Sequence, residues 1–191
     1  MSSYSTLNEL YFEKFKTLHA ETQARGDAIP QETLIEILAA FDHLARTWTN
    51  DESICEDKQI NRAEGHVKRA CLDMYKLRLK EANTKYKDLI KTDISTIDNG
   101  DYKKRVIQLI AKIQNMASSA RKLESLNKED AFKTWEDIYD LIDEFEDLYQ
   151  SDHVNWAKNV ERKKFWQTVL ISSLFGGVIG FVTKTLLTYL S

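Results

Sequence analysis

Arg62, His66, Arg69 and Asp73 are the one set of residues in this 191-residue chain whose types and spacing could carry chemistry. They recur at steps of four, three and four in INRAEGHVKRACLDMYK, so on a helix they project from one side, beside an apolar stripe rather than opposite it. That places them at the edge of a groove. A histidine between two arginines has its cationic form disfavoured by like charge, which suits a general base or an anion contact. The plainer alternative is an Arg69–Asp73 helix pair with His66 at a bundle edge. No zinc-ligand spacing, phosphate loop or nucleophile triad accompanies them, and the sequence predicts neither metal nor cofactor.

Elements that would position this set read as helices throughout. Six glycines and one proline leave little from which to build hairpins, so an all-β fold is excluded and an all-α helical bundle of about five helices is expected over residues 1–160. Tyr4, Leu7, Tyr11, Phe15 and Leu18 form a first stripe, ended by Gly26 and Pro30. Leu34, Ile37, Phe41, Leu44 and Trp48 form a second, closed by Asn50-Asp51. A long third helix runs from near Asp57 to Lys91, with Ile60, Ala63, Val67, Ala70, Met74 and Leu77 apolar. Beyond Lys80 its stripe shifts to Tyr86 and Leu89, which means a bend or a second neighbour. Asp98-Asn99-Gly100-Asp101 is the clearest turn. Tyr102, Val106, Leu109, Ile113 and Ala117 mark a fourth helix; Ala131, Trp135, Ile138, Ile142, Phe145 and Tyr149 mark a fifth. A sixth starts after Ser151-Asp152.

Charge is divided unevenly among these helices. Residues 58–91 hold 10 Lys/Arg against 4 Asp/Glu, and residues 124–150 hold 2 Lys against 10 Asp/Glu. The two segments either pair with each other, within a chain or between subunits, or the basic one faces a polyanion such as RNA. No aromatics interleave with the lysines as base-stacking platforms, which favours pairing. The whole chain has a net charge of −3 and offers no global field for DNA, so DNA is not an expected partner. Cys55 and Cys71 are too few for a disulfide scaffold, so a reducing compartment is expected.

Residues 161–191 are a different material. Phe165–Thr183 is a run of 19 residues without a charge, roughly 28 Å of helix at ~1.5 Å per residue, close to the ~30 Å hydrocarbon core of a bilayer. Arg162, Lys163 and Lys164 precede it, Phe165, Trp166 and Tyr189 flank it, and Gly177 lies within it. Lys184 sits near the far end, where its ammonium reaches the interface. The expectation is a single-pass C-terminal anchor in the cell inner membrane, with lipid as partner and the preceding domain cytoplasmic. A buried core helix is the alternative. Thr168, Ser172, Gly176 and Gly180 form a small-residue stripe that permits close helix contact, so a homo-oligomer is expected, with Asp73, Ser172, Gly176 and Gly180 as contacts.

AEGHVKRACLDMYK resembles the helix of HEPN-like proteins, in which a histidine precedes an Arg-Ala pair and an aspartate follows three residues later. With a membrane helix attached, the chain is similar to the accessory membrane protein of type VI-B RNA-targeting CRISPR systems and to other small antiphage effectors. HEPN ribonucleases typically place four to six residues between Arg and His; Arg62 and His66 have three between them. The resemblance therefore implies a divergent bundle that keeps fold and oligomer contacts. It implies an oligomeric effector of antiviral defence that permeabilises or depolarises the inner membrane, engaged by a CRISPR effector or an RNA-derived signal. A membrane-tethered ribonuclease using Arg62 or Arg69 with His66, and a tail-anchored adaptor binding through its acidic helix, are the other expectations.

Overall fold

Helix α4 (Glu56–Leu89) forms because Ile60, Ala63, Val67, Ala70 and Met74 repeat at steps of three and four, and all five are buried. Around it the computed structural model describes residues 3–26, 28–49, 55–149 and 155–173, and among these there is no strand. The architecture is all-α.

The chain opens with α1 (Ser3–Glu9) and α2 (Lys16–Ala24), joined by a π-helical stretch at Leu10–Phe15. A wider turn brings residues five apart onto one side, which is how Leu10 and Phe15 are both buried with Leu7 and Leu18. Gly26 ends α2 with φ +77°, a conformation that disfavours any side chain. Helix α3 (Gln31–Thr47) follows Pro30. A 3₁₀ segment (Ile94–Gly100) then leads to α5 (Asp101–Leu123) and α6 (Lys128–Tyr149), and α7 covers residues 155–173. The turn at 98–101 is present, with Asp98, Asn99 and Gly100 all at positive φ. The stretches 50–54 and 151–152, where two helix boundaries are expected, lie outside the described residues.

Two units divide the chain. The first comprises Met1–Thr84 and Leu109–Glu146; the second comprises Lys85–Gln108 and Asp147–Ser191. The shift of the α4 stripe after Lys80 thus marks a change of neighbours, since the helix runs unbroken to Leu89 while its last turns join the second unit.

In the first unit the core is the expected one: Val67, Ala70 and Met74 of α4, Ile113 of α5, and Trp135, Ile138, Ile142 and Phe145 of α6 are all buried. Charge pairing runs along its margins. Lys68 bonds Glu129 at 2.6 Å, Lys76 bonds Glu124 at 3.0 Å, and Arg78 bonds Asp143 at 3.0 Å and Glu146 at 2.7 Å. The basic and acidic segments therefore pair within one chain at Lys68, Lys76 and Arg78. Arg78 is 4% exposed; burial alone would lower its pKa, but Asp143 and Glu146 outweigh that and raise it.

Helix α3 departs from its expected register. Leu34, Phe41 and Trp48 are exposed, whereas Thr33 and Ala40 are buried. The side of α3 that meets the first unit is built from small and polar residues, so the large apolar ones fall on its outer side.

In the second unit Tyr102 donates its hydroxyl to the Leu148 carbonyl at 2.9 Å, and Asp93 caps the 3₁₀ segment by accepting from the Ser95 N–H. Ala157 of α7 is buried, and Glu161 accepts from the Asp93 N–H. Every residue from 162 to 173 is exposed. Among the described residues no helix is long and apolar enough to cross a membrane. The uncharged run Phe165–Thr183 continues past the last of them, so Gly176, Gly177, Gly180, Lys184 and Tyr189 lie outside the described residues.

Trp135 joins the apolar core to the charged margin: fully buried, it donates from Nε1 to Glu124 at 2.9 Å, and the Lys76 ammonium stands 5.8 Å from its ring centre. Trp135→Ala is expected to lower stability by about 3–5 kcal/mol. Trp135→Phe, which loses the hydrogen bond and part of the buried ring volume, should cost about 2–3 kcal/mol in denaturant titrations followed by helical circular dichroism.

Candidate functional site

The α4 segment around His66 meets α3, and a residue the sequence motif does not include organises it. Glu36, one turn after the buried Thr33, presents Oε2 to His66 Nδ1 at 2.6 Å and to Arg69 Nε at 2.9 Å. Arg69 Nη2 also lies 2.6 Å from His66 Nδ1. One ring nitrogen cannot donate and accept at once. With its proton, Nδ1 donates to Glu36; without it, Nδ1 accepts from Arg69. Glu36 and Arg69 therefore both act on the tautomer of a single imidazole.

His43, one turn before the end of α3, extends the cluster. Its ring stacks on that of His66, with centres 5.2 Å apart, and its Nδ1 lies 2.7 Å from Gln59 Oε1. Gln59 is buried, as is Thr33, whose hydroxyl has no hydrogen-bond partner among the described residues. A seam of polar residues thus joins two helices where an apolar interface would ordinarily lie.

Two acids here respond oppositely to their surroundings. Burial raises the Glu36 carboxyl, but the hydrogen bonds from His66 and Arg69 and the charge of Arg69 outweigh it and bring its pKa below the usual range. Asp73, half-buried two turns from His66, is raised by burial; Lys76 opposes this, while Glu36, Glu32 and Glu124 reinforce it.

Of the expected site residues, the fold brings His66 and Arg69 together on Glu36. Arg62 is exposed, and Asp73 feels the site through its charge. Among the described residues Arg69 makes no ion pair with Asp73. The signal that would have found Glu36 is its phase: Thr33, Glu36, Ala40 and His43 share one side of α3, and two of them can ionise. Farther along α4, Asn61, Gly65, Lys68 and Arg69 face Glu129 and Phe132 across an open groove of about 340 Å³, where Lys68 is held by Glu64 and Glu129.

An imidazole oriented through Nδ1 by a carboxylate leaves Nε2 as the nitrogen that can act on a ligand, the orientation a general base requires. Among the described residues no group of three or more His, Cys, Asp and Glu stands where it would hold a metal ion. Both cysteines are free; burial pushes the Cys71 thiol up to about 12, outside the range of a reactive thiolate. No protein-family model, curated protein or solved structure matches this chain.

The two carboxylates give opposite expectations. The lowered pKa of Glu36 means its stabilisation is full above the ordinary carboxylate range and is lost as pH falls through the folded-state value. Glu36→Gln should cost about 1–2 kcal/mol at neutral pH and little once the carboxyl is protonated. The raised pKa of Asp73 means that the folded chain holds this proton more tightly than the unfolded chain does. Asp73→Asn should therefore raise the melting temperature at neutral pH and lose that advantage on acidification. Thermal melts across the acid range check both signs.

Proposed function

We propose that this chain is a membrane-attached helical effector of bacterial antiviral defence, whose bundle assembles several copies and whose C-terminal segment permeabilises or depolarises the inner membrane. The observation that carries the membrane part is the state of α7. Phe165, Trp166, Val169, Leu170 and Ile171 are 63%, 55%, 39%, 60% and 54% exposed, so this stretch of helix presents large apolar side chains that the described residues leave largely uncovered. A core helix is apolar all round because protein covers it; here another solvent must do so. Arg162, Lys163 and Lys164 directly before the run fit the headgroup region on the cytoplasmic side.

The antiviral part rests on the resemblance of residues 63–76 to a HEPN-like helix, and the homo-oligomer on that resemblance together with the Ser172-Gly176-Gly180 stripe. Cleavage of RNA would need an arginine and a histidine available to a phosphate. Here Glu36 engages Arg69 and the Nδ1 of His66, tying the arginine to a carboxylate and leaving only Nε2 of the histidine for a ligand, which supports a scaffolding role for that helix pair.

In bacteria producing the full chain, we expect it in the membrane fraction, released by detergent but not by salt or carbonate, with collapse of the potential reported by a voltage-sensitive dye. Gly176→Leu with Gly180→Leu should leave the chain in the membrane yet remove most of the depolarisation. Recovery of the full chain in the aqueous fraction would overturn the membrane reading. A potential that stays intact while the chain is membrane-bound would overturn the effector reading, and RNA cleavage lost on His66→Ala would replace it with the nuclease.

A further inference from the structure

The outer side of α3 carries a pattern that the bundle does not use. Leu34, Leu38, Phe41, Ala45 and Trp48 recur at four, three, four and three, the spacing of a two-helix seam, with Ile35 beside them. Leu34, Ile35, Leu38, Phe41 and Trp48 are 48%, 55%, 68%, 59% and 67% exposed. The patch continues across an apolar groove of about 390 Å³ to Phe12, itself 54% exposed. The groove is lined by residues of the first unit and does not involve α7.

We propose that this face of α3 is a self-association surface, covered by the same face of a second copy packed antiparallel about Phe41. Three observations select that occupant. The first is the seam itself: centred on Phe41, it sets Leu38 against Ala45 and Leu34 against Trp48 when read in reverse, so the same apolar residues meet on both sides of a two-fold axis through a Phe41–Phe41 contact. The second is area. Six large side chains about half exposed, at roughly 100 Å² each, give on the order of 600 Å², the upper end for a patch left open on a monomer. Doubled across a two-fold axis this is about 1,200 Å², the lower bound for a specific interface. The third is charge. The first turn of α3 carries Glu32 and no base, while its last turn carries Arg46, which also pairs with Asp42 of its own helix at 2.7 Å. Antiparallel packing brings Arg46 of each copy to the acidic end of the other and sets the two helix dipoles head to tail.

This surface belongs to the helical bundle and needs no membrane, so it stands or falls apart from the reading of α7. The test uses the full chain in detergent, with Cys55 and Cys71 replaced by Ser and Ala. Phe41→Cys should cross-link to itself between copies under mild oxidation, while Lys133→Cys, an exposed control on α6, should not. Leu38→Glu with Phe41→Glu should at least halve the particle mass by light scattering, with helical content unchanged because both side chains are exposed. A wild-type monomer would overturn the proposal and assign the face to a different occupant. Equally, an oligomer whose mass is indifferent to Leu38→Glu/Phe41→Glu, with no Phe41→Cys cross-link, would overturn it and leave assembly to the tail.

Discussion

Ten of the chain's 27 basic residues lie on the segment 58–91, and a helix so charged needs compensation along its whole length if it is to be central. The acidic segment 124–150 supplies it between Lys68 and Arg78. Lys68, Lys76 and Arg78 each meet a carboxylate from α6 or from the turn before it, while apolar side chains of α4, α5 and α6 fill the space between. The more exposed pairs, of Lys68 and Lys76, contribute little stability individually and the buried Arg78 pair offsets its own desolvation, but together they fix which helix lies beside which and in what register. Tyr75 of α4, with its ring centre 6.0 Å from that of Phe132 and 5.4 Å from that of Tyr139, adds an aromatic margin that the same register aligns.

With α4 and α6 paired on one side, α3 meets α4 through a polar seam. Glu36, His66 and Arg69 make close polar contacts across it. This explains how α3 is held while most of its large apolar side chains face outward. The seam and the exposed face are two consequences of one rotation of the helix about its axis.

Much of the bundle was legible because its stripes are long. The positions marked on α4, α5 and α6 are buried except for the half-buried Leu77, Tyr86 and Tyr149, and the turn at Asp98–Gly100 has the backbone its residues demand. Helix α3 was not legible in the same way: its inner side is small and polar, and following the larger residues put Leu34, Phe41 and Trp48 of the outer side into one stripe with the half-buried Ile37 and Leu44. Glu36 was missed because its partner is 30 residues away, and nothing local to ETLIEIL announces an imidazole. The π-helical turn at Leu10–Phe15 likewise depends on what the helix packs against. Charge partition indicated that residues 58–91 and 124–150 belong together, though not that Lys68 takes Glu129 and Arg78 takes Glu146.

The central claim is that lipid covers the apolar surface of α7. It is tested most directly with the full chain in lipid nanodiscs, carrying a spin label at Leu170→Cys in a background lacking Cys55 and Cys71, with the label at Lys133→Cys as aqueous reference. A lipid-covered helix makes the label at position 170 open to molecular oxygen and closed to a water-soluble nickel chelate, with the reverse at position 133. Equal access of the chelate to both labels, with bilayer present, would contradict the claim and require a protein surface to cover α7 instead.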